Sequence, residues 1–94
     1  MDLNFEWDEE KAKANVRHHK ISFDEAKTVF DDPFTITIND PKHSIIEERF
    51  VDIGTSSKRR ILVVVYTQRG DRIRLISCRK ATVWEREIYE EERY

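Results

Sequence analysis

The sequence predicts an α+β fold with two N-terminal helices, a four-stranded antiparallel sheet and a C-terminal helix. Three observations carry this reading. Apolar residues repeat at helical spacing before residue 31, they alternate or run continuously between residues 34 and 78, and helical spacing returns after Thr82. The connections between strands are short, which favours an antiparallel meander with helices packed on it.

Asp8 is placed to cap a first helix that runs through Ala12 and Ala14 to about His18 or His19, with Glu9 and Glu10 complementing the dipole of its first turn. Ala12, Val16 and His19 fall on one face. Ser22 and Glu25 form a capping-box signature for a second, short helix, in which Phe23, Ala26 and Phe30 repeat until Asp31-Asp32-Pro33 ends the pattern. Residues 34–38 alternate as a half-buried strand does, and Asn39-Asp40-Pro41 stops them. Residues 49–53 read as a second strand closed by Gly54.

Residues 60–68 are nearly continuous in apolar side chains, so this third strand is expected to be central and covered on both faces. Arg69-Gly70-Asp71 turns the chain into a fourth strand that begins Arg72-Ile73-Arg74-Leu75. Thr82 with Glu85 is a second capping box, and Trp84, Ile88 and Tyr89 give the last helix an apolar side.

With 94 residues, 38% hydrophobic and 38% charged, the chain has enough apolar area for one small core, and residues 1–94 read as a single domain. The lone Cys78 has no partner for an internal disulfide. No apolar run is long enough to serve as a secretion signal or to span a bilayer, so a cytoplasmic protein without a membrane partner is expected.

The net charge of −2 hides its distribution. Residues 58–80 carry eight basic side chains against one acid, Asp71, and are locally +7, whereas residues 1–57 sum to −6 and residues 81–94 to −3. Two strands run through this basic stretch, so its arginines are fixed on a sheet. In a meander, alternate strands point the same way. Arg49 should then lie near Arg72 and Arg74, while Arg79 and Lys80 lie at the other end with Arg59 and Arg60.

Basic residues on a sheet can simply keep it soluble and block edge-to-edge pairing. They can also grip phosphate bidentately and stabilise the charge that grows on phosphorus in a transition state. Cleaving RNA through its 2′-hydroxyl needs such groups together with a proton donor and acceptor, and no metal. His18, His19 and His43 are the candidates for proton transfer, because an imidazole ordinarily titrates near neutral pH. His19 ends the first helix, where its alternative role is to cap the helix carbonyls.

Ser77 stands beside Arg79 without a third residue at triad spacing. His18 and His19 project apart on a helix, which argues against a metal site, and no glycine-rich loop points to a nucleotide cofactor. Trp7 and Trp84 are expected to pack in the core or at an interface, and Glu85, Glu87 and Glu90 to Glu92 to form a solvated helix face.

Phe5-Glu6-Trp7-Asp8, Asn15, His18-His19, Ile21-Ser22-Phe23, Ala26, Val29-Phe30, Asp32-Pro33, Glu48-Arg49-Phe50 and the run from Arg72 through Ser77 to Arg79-Lys80-Ala81-Thr82 together resemble the BrnT family of type II toxins. The resemblance implies a RelE-like ribonuclease that acts without metal and arrests translation when freed. Its implied partners are an RNA substrate and a BrnA-type antitoxin with a ribbon-helix-helix domain, in a hetero-oligomer that touches operator DNA only through the antitoxin.

Carried over position by position, the resemblance puts His19, Arg49, Arg74 and Arg79 in catalytic places, with Ser77 two residues before Arg79; Arg72, Ser77 and Lys80 of the basic stretch are expected to contact RNA, unless the stretch faces the antitoxin. Lys20 stands where the family usually has glycine. Two other readings compete with the enzyme: a non-catalytic module whose basic sheet docks an acidic protein, and a nucleic-acid binder that does not cleave.

Overall fold

The computed structural model describes residues 3–39 and 47–92. Its centre is a five-stranded mixed sheet in the order β1-β5-β4-β3-β2, where β1 is Asn4–Glu6, β2 Ile36–Asn39, β3 Arg49–Thr55, β4 Ile61–Arg69 and β5 Arg72–Lys80. Helix α1 spans Glu9–His19. A single turn, α2, spans Phe23–Ala26 and continues as a 3₁₀ turn over Lys27–Asp31, and α3 spans Val83–Glu92.

This corrects the expected four-stranded antiparallel sheet. Strands β2 to β5 do form an antiparallel meander, but β1 precedes the helices and pairs in parallel with β5, Phe5 opposite Ile73. Three residues are too few to show a period of two, and the partner strand lies 68 positions along the chain. No local signal marks β1. The second N-terminal helix is also shorter than a helix proper, because Thr28 Oγ1 donates to the Glu25 carbonyl at 2.6 Å and the chain tightens to 3₁₀ geometry.

Gly54 does not close β3, which runs on to Thr55. A Cβ at Gly54 would stand 2.6 Å from Thr35 Oγ1 and 2.8 Å from Val29 Cγ1. The glycine is there because the 3₁₀ turn lies directly on the strand. The predicted helix caps form: Asp8 Oδ1 accepts from the Glu10 amide at 2.8 Å, and Ser22 Oγ from the Glu25 amide at 3.1 Å.

Lys20 takes the left-handed conformation, φ 61°, that a glycine would take past a helix end, and its amide bonds the Val16 carbonyl at 3.0 Å. Arg59 is the other described non-glycine residue at positive φ, at 62°. Each costs roughly 1–2 kcal/mol relative to glycine.

One sheet face carries α1, α2 and the 3₁₀ turn. Ile21, Phe23, Ala26 and Val29 pack there on Leu62, Val64, Leu75 and Cys78. Each large apolar side chain buried in this way contributes about 1.5–3 kcal/mol. The other face carries α3, which sinks a single side chain, Tyr89, between Ile53 and Val63. The Tyr89 hydroxyl donates to Asp32 Oδ2 at 2.5 Å and shares a hydrogen bond of 2.9 Å with Thr55 Oγ1.

Two details of β5 determine which side chains reach which face. Tyr66 pairs with Leu75 and Val65 with Ser77, so Ile76 is an extra residue, a β-bulge. Both Leu75 and Cys78 therefore enter the core beside the helices, although strict alternation would separate them. Beyond the short β1, the edge of β5 is closed by a side chain. Asn15 Nδ2 donates to the Cys78 carbonyl at 2.8 Å, Oδ1 accepts from the Cys78 amide at 3.0 Å, and Nδ2 also reaches the Ile21 carbonyl at 2.9 Å.

Asn15→Ala would leave three buried backbone groups without partners, each worth about 1–3 kcal/mol when orphaned. We expect it to lower unfolding stability by about 3 kcal/mol or more in urea denaturation. A loss under about 1 kcal/mol would show that water or a relaxed α1 replaces the amide.

Candidate functional site

Cross-strand partners point to the same face, so the register puts Arg49, Val51 and Ile53 of β3, Val63, Val65 and Thr67 of β4, and Arg74, Ser77 and Arg79 of β5 together on the α3 face. The bulge at Ile76 decides this. Arg74 and Arg79 are five residues apart and would point to opposite faces in a regular strand.

Helix α3 covers one end of that face only. The open part has a half-buried floor of Val51, Val65 and Ser77. One wall is Arg79 with the first turn of α3. The other is the row Arg74–Thr67–Arg49, with Glu6 of β1 beyond Arg74. Four residues of β4 separate the walls, roughly 13 Å.

Trp84 is 69% exposed and takes no part in the core, whereas Trp7 stands edge-on to Phe23 with ring centroids 5.8 Å apart. Trp84 lies about half a helical turn away from Arg86, whose side chain lines the end of the sheet.

The arginines differ in their partners. Arg79 meets Glu85 bidentately, Nη1 to Oε1 at 2.7 Å and Nη2 to Oε2 at 2.8 Å, and Nη1 also reaches the Lys80 carbonyl at 3.2 Å. Glu85 Oε1 accepts from the Thr82 amide at 2.8 Å, so one carboxylate completes the capping box and holds Arg79. The Arg79 hydrogen bonds hold the Glu85 carboxyl down to about 2, and Glu85 in turn raises the Arg79 pKa. Arg74 Nη1 donates to Glu6 Oε2 at 2.7 Å, and Arg72 lies 3.8 Å from the other oxygen.

The site residues named from sequence are not all brought together. Arg49, Arg72, Arg74, Ser77 and Arg79 share the α3 face, with Arg72 beside Arg74 on Glu6. Lys80, opposite Leu62, lines a separate pocket at the end of the sheet, and Arg72 also borders a pocket of about 450 Å³ at the β1 edge with Trp7, Lys27 and Asp71. His19 is exposed at the end of α1 and, among the described residues, makes no hydrogen bond or ion pair with the arginines. His43 lies outside the described residues.

Sequence reasoning missed the acids that hold the arginines. Glu6 meets Arg74 only through the parallel pairing of β1, and Glu85 meets Arg79 across a strand-to-helix junction where no periodicity links them. It also missed a buried pair on the helix face, where Tyr66 donates to Asp52 Oδ1 at 2.9 Å. Burial raises the pKa of both groups. This pair lies on the opposite face from Arg74 and Arg79, so it reads as part of the scaffold.

Cys78 is equally remote from chemistry, since burial pushes its thiol up to about 12. Among the described residues no three His, Cys, Asp or Glu side chains are grouped to hold a metal ion, and no helix is long and apolar enough to cross a membrane.

A family model described as the ribonuclease toxin BrnT of type II toxin-antitoxin systems matches residues 7–85. Among solved structures, the 1.1 Å crystal structure of the Brucella abortus ribonuclease toxin BrnT superposes with a TM-score of 0.64 at 21% identity, over 86% of this chain and 99% of that one. Comparison with curated proteins returns no match.

The Arg79–Glu85 pair makes a prediction about acid. Glu85 sits near 2 in the folded chain against an ordinary 4.5, so its stabilisation is complete above about pH 4.5, falls with pH and is gone below about 2. The Tm of wild type should exceed that of Glu85→Gln at neutral pH, and the two should converge toward pH ~2. Parallel Tm–pH curves would show that the pair contributes nothing.

Proposed function

The chain belongs to the BrnT family of ribonuclease toxins of type II toxin-antitoxin systems, and we propose that it is a metal-independent endoribonuclease that binds and cleaves RNA on its α3 face. An antitoxin partner follows from that membership. We further propose that the partner is of BrnA type, with a ribbon-helix-helix domain, and that the freed toxin arrests translation by cleaving RNA.

The observation that carries the reading is the β5 bulge, which gathers Arg74, Ser77 and Arg79 on one face with Arg49. In the proposed reaction the 2′-oxygen of a ribose attacks the adjacent phosphorus while a base takes its proton. The 5′-oxygen leaves with a proton from an acid, giving a 2′,3′-cyclic phosphate and a 5′-hydroxyl. Guanidinium groups supply what this path needs most: fixed positive charge where the phosphorane becomes more negative.

Arg79 is the proposed stabiliser of that charge, with Arg49 and Arg74 holding phosphate across the floor. Arg72, Ser77 and Lys80 are assigned to flanking RNA contacts. His19, at the end of α1 on the sheet face opposite Arg79, is not placed to act at a phosphate held there, so the acid and the base of this step are left unassigned.

A second reading is favoured by the ion pairs themselves. Arg74 and Arg79 already hold carboxylates, as they would if the basic sheet docked an acidic protein without catalysis. Inducing the chain alone separates the two, since a docking module should not arrest growth.

The purified toxin, free of antitoxin, should cleave single-stranded RNA with EDTA present, and Arg79→Ala should slow it at least about tenfold, a loss of about 1.4 kcal/mol of transition-state stabilisation. Cleavage abolished by chelator would overturn metal independence. Unchanged cleavage by Arg79→Ala would remove that arginine from the site.

A further inference from the structure

At the end of the sheet, Arg59, Arg60, Lys80 and Arg86 converge with Ile61 and Ala81 on a pocket of about 310 Å³. Four cations line it and no acid does. Arg60 is held from behind by Glu25, whose side chain is 1% exposed: Nε donates to Oε2 at 2.9 Å, Nη2 to Oε1, and Ser56 Oγ adds a bond of 2.7 Å to Oε2. That grip fixes the guanidinium through two of its nitrogens and leaves its Nη1 group outside the pair. Arg59, Lys80 and Arg86 have no acidic partner among the described residues.

Arg59 also stands where a glycine would be easier. The turn from β3 to β4 is closed by the Arg59 amide on the Ser56 carbonyl at 2.9 Å and the Ser56 amide on the Arg60 carbonyl at 2.8 Å, and its last residue must be left-handed. Glycine meets that demand without strain. An arginine held there against its backbone preference points to a use for its charge.

We propose that this pocket binds a backbone phosphate of the RNA, one outside the scissile position. The inference rests on the ribonuclease reading and extends it. Arg79 joins the two places, since its Nη1 bonds the carbonyl of Lys80, which lines the pocket. The pocket thus lies at the same end of the sheet as Arg79, where RNA held at Arg79 would extend beyond the scissile phosphate. The concave shape and the preset Arg60 fork suit a compact tetrahedral anion gripped from several sides.

The test uses the full chain and a fluorescent, 2′-O-methylated oligonucleotide, which cannot be cleaved, with binding followed by anisotropy over a salt series. Arg59→Gly should weaken binding several-fold and Arg59→Gly/Arg86→Ala at least about tenfold. The salt slope should drop by about 0.7 for each phosphate that the variant no longer neutralises. Thermal unfolding serves as the control, because Arg59→Gly relieves backbone strain and should leave Tm unchanged or raised while binding falls.

Wild-type affinity and salt slope in both variants would overturn the proposal. So would RNA binding that is unaffected while binding of a glutamate decamer is abolished, which would assign the pocket to an acidic protein segment. Because the probe is not a substrate, the outcomes separate: a wild type that binds it but cleaves no RNA refutes the enzyme and leaves the pocket standing.

Discussion

The extra residue at Ile76 and the side chain that secures the strand after it control everything this sheet presents. A regular β5 would send Leu75 and Cys78 to opposite faces, with one of them absent from the core. The bulge puts both into the core and, by the same shift, turns Arg79 to the face of Arg74. Asn15 then fixes the strand immediately past the bulge by bonding both backbone groups of Cys78. Core packing and the direction of the arginines are thus two results of one insertion.

The chain's many acids are used to position its cations. Glu6 holds Arg74, Glu85 holds Arg79, and the buried Glu25 holds Arg60. Each pair restricts a guanidinium that would otherwise move freely on a surface side chain. The pocket at the sheet end combines one such fixed arginine with cations that have no acidic partner among the described residues. A chain with net charge −2 can therefore present a concentrated positive surface.

What the sequence disclosed was whatever leaves a local mark. Caps at Asp8, Ser22 and Thr82 signalled helix starts, and the alternating and continuous apolar runs signalled β2 to β5. The direction of each strand in the meander then placed Arg49 near Arg74 and apart from Arg79, as the register has it. What stayed hidden were features set by distant partners. β1 is too short to show a period, and Gly54 looked like a stop until the 3₁₀ turn lay across it. The bulge cannot be read from Leu75 to Cys78 alone, because a run of mixed residues fits either register. The acids on Arg74 and Arg79 were invisible for the same reason.

Glu85 performs two tasks that an incoming phosphate would set against each other. Its Oε1 caps the Thr82 amide at the start of α3, and both its oxygens hold Arg79. An anion that takes both Nη groups of Arg79 must displace the carboxylate from them. The capping bond can survive that exchange, since it runs to a backbone amide, and Tyr89 anchors the helix independently through Asp32 and Thr55. Among the described residues, side-chain hydrogen bonds thus hold helix α3 at one place shared with the arginine and at another remote from it. The remote one would keep the helix on the sheet if Arg79 exchanged Glu85 for a phosphate.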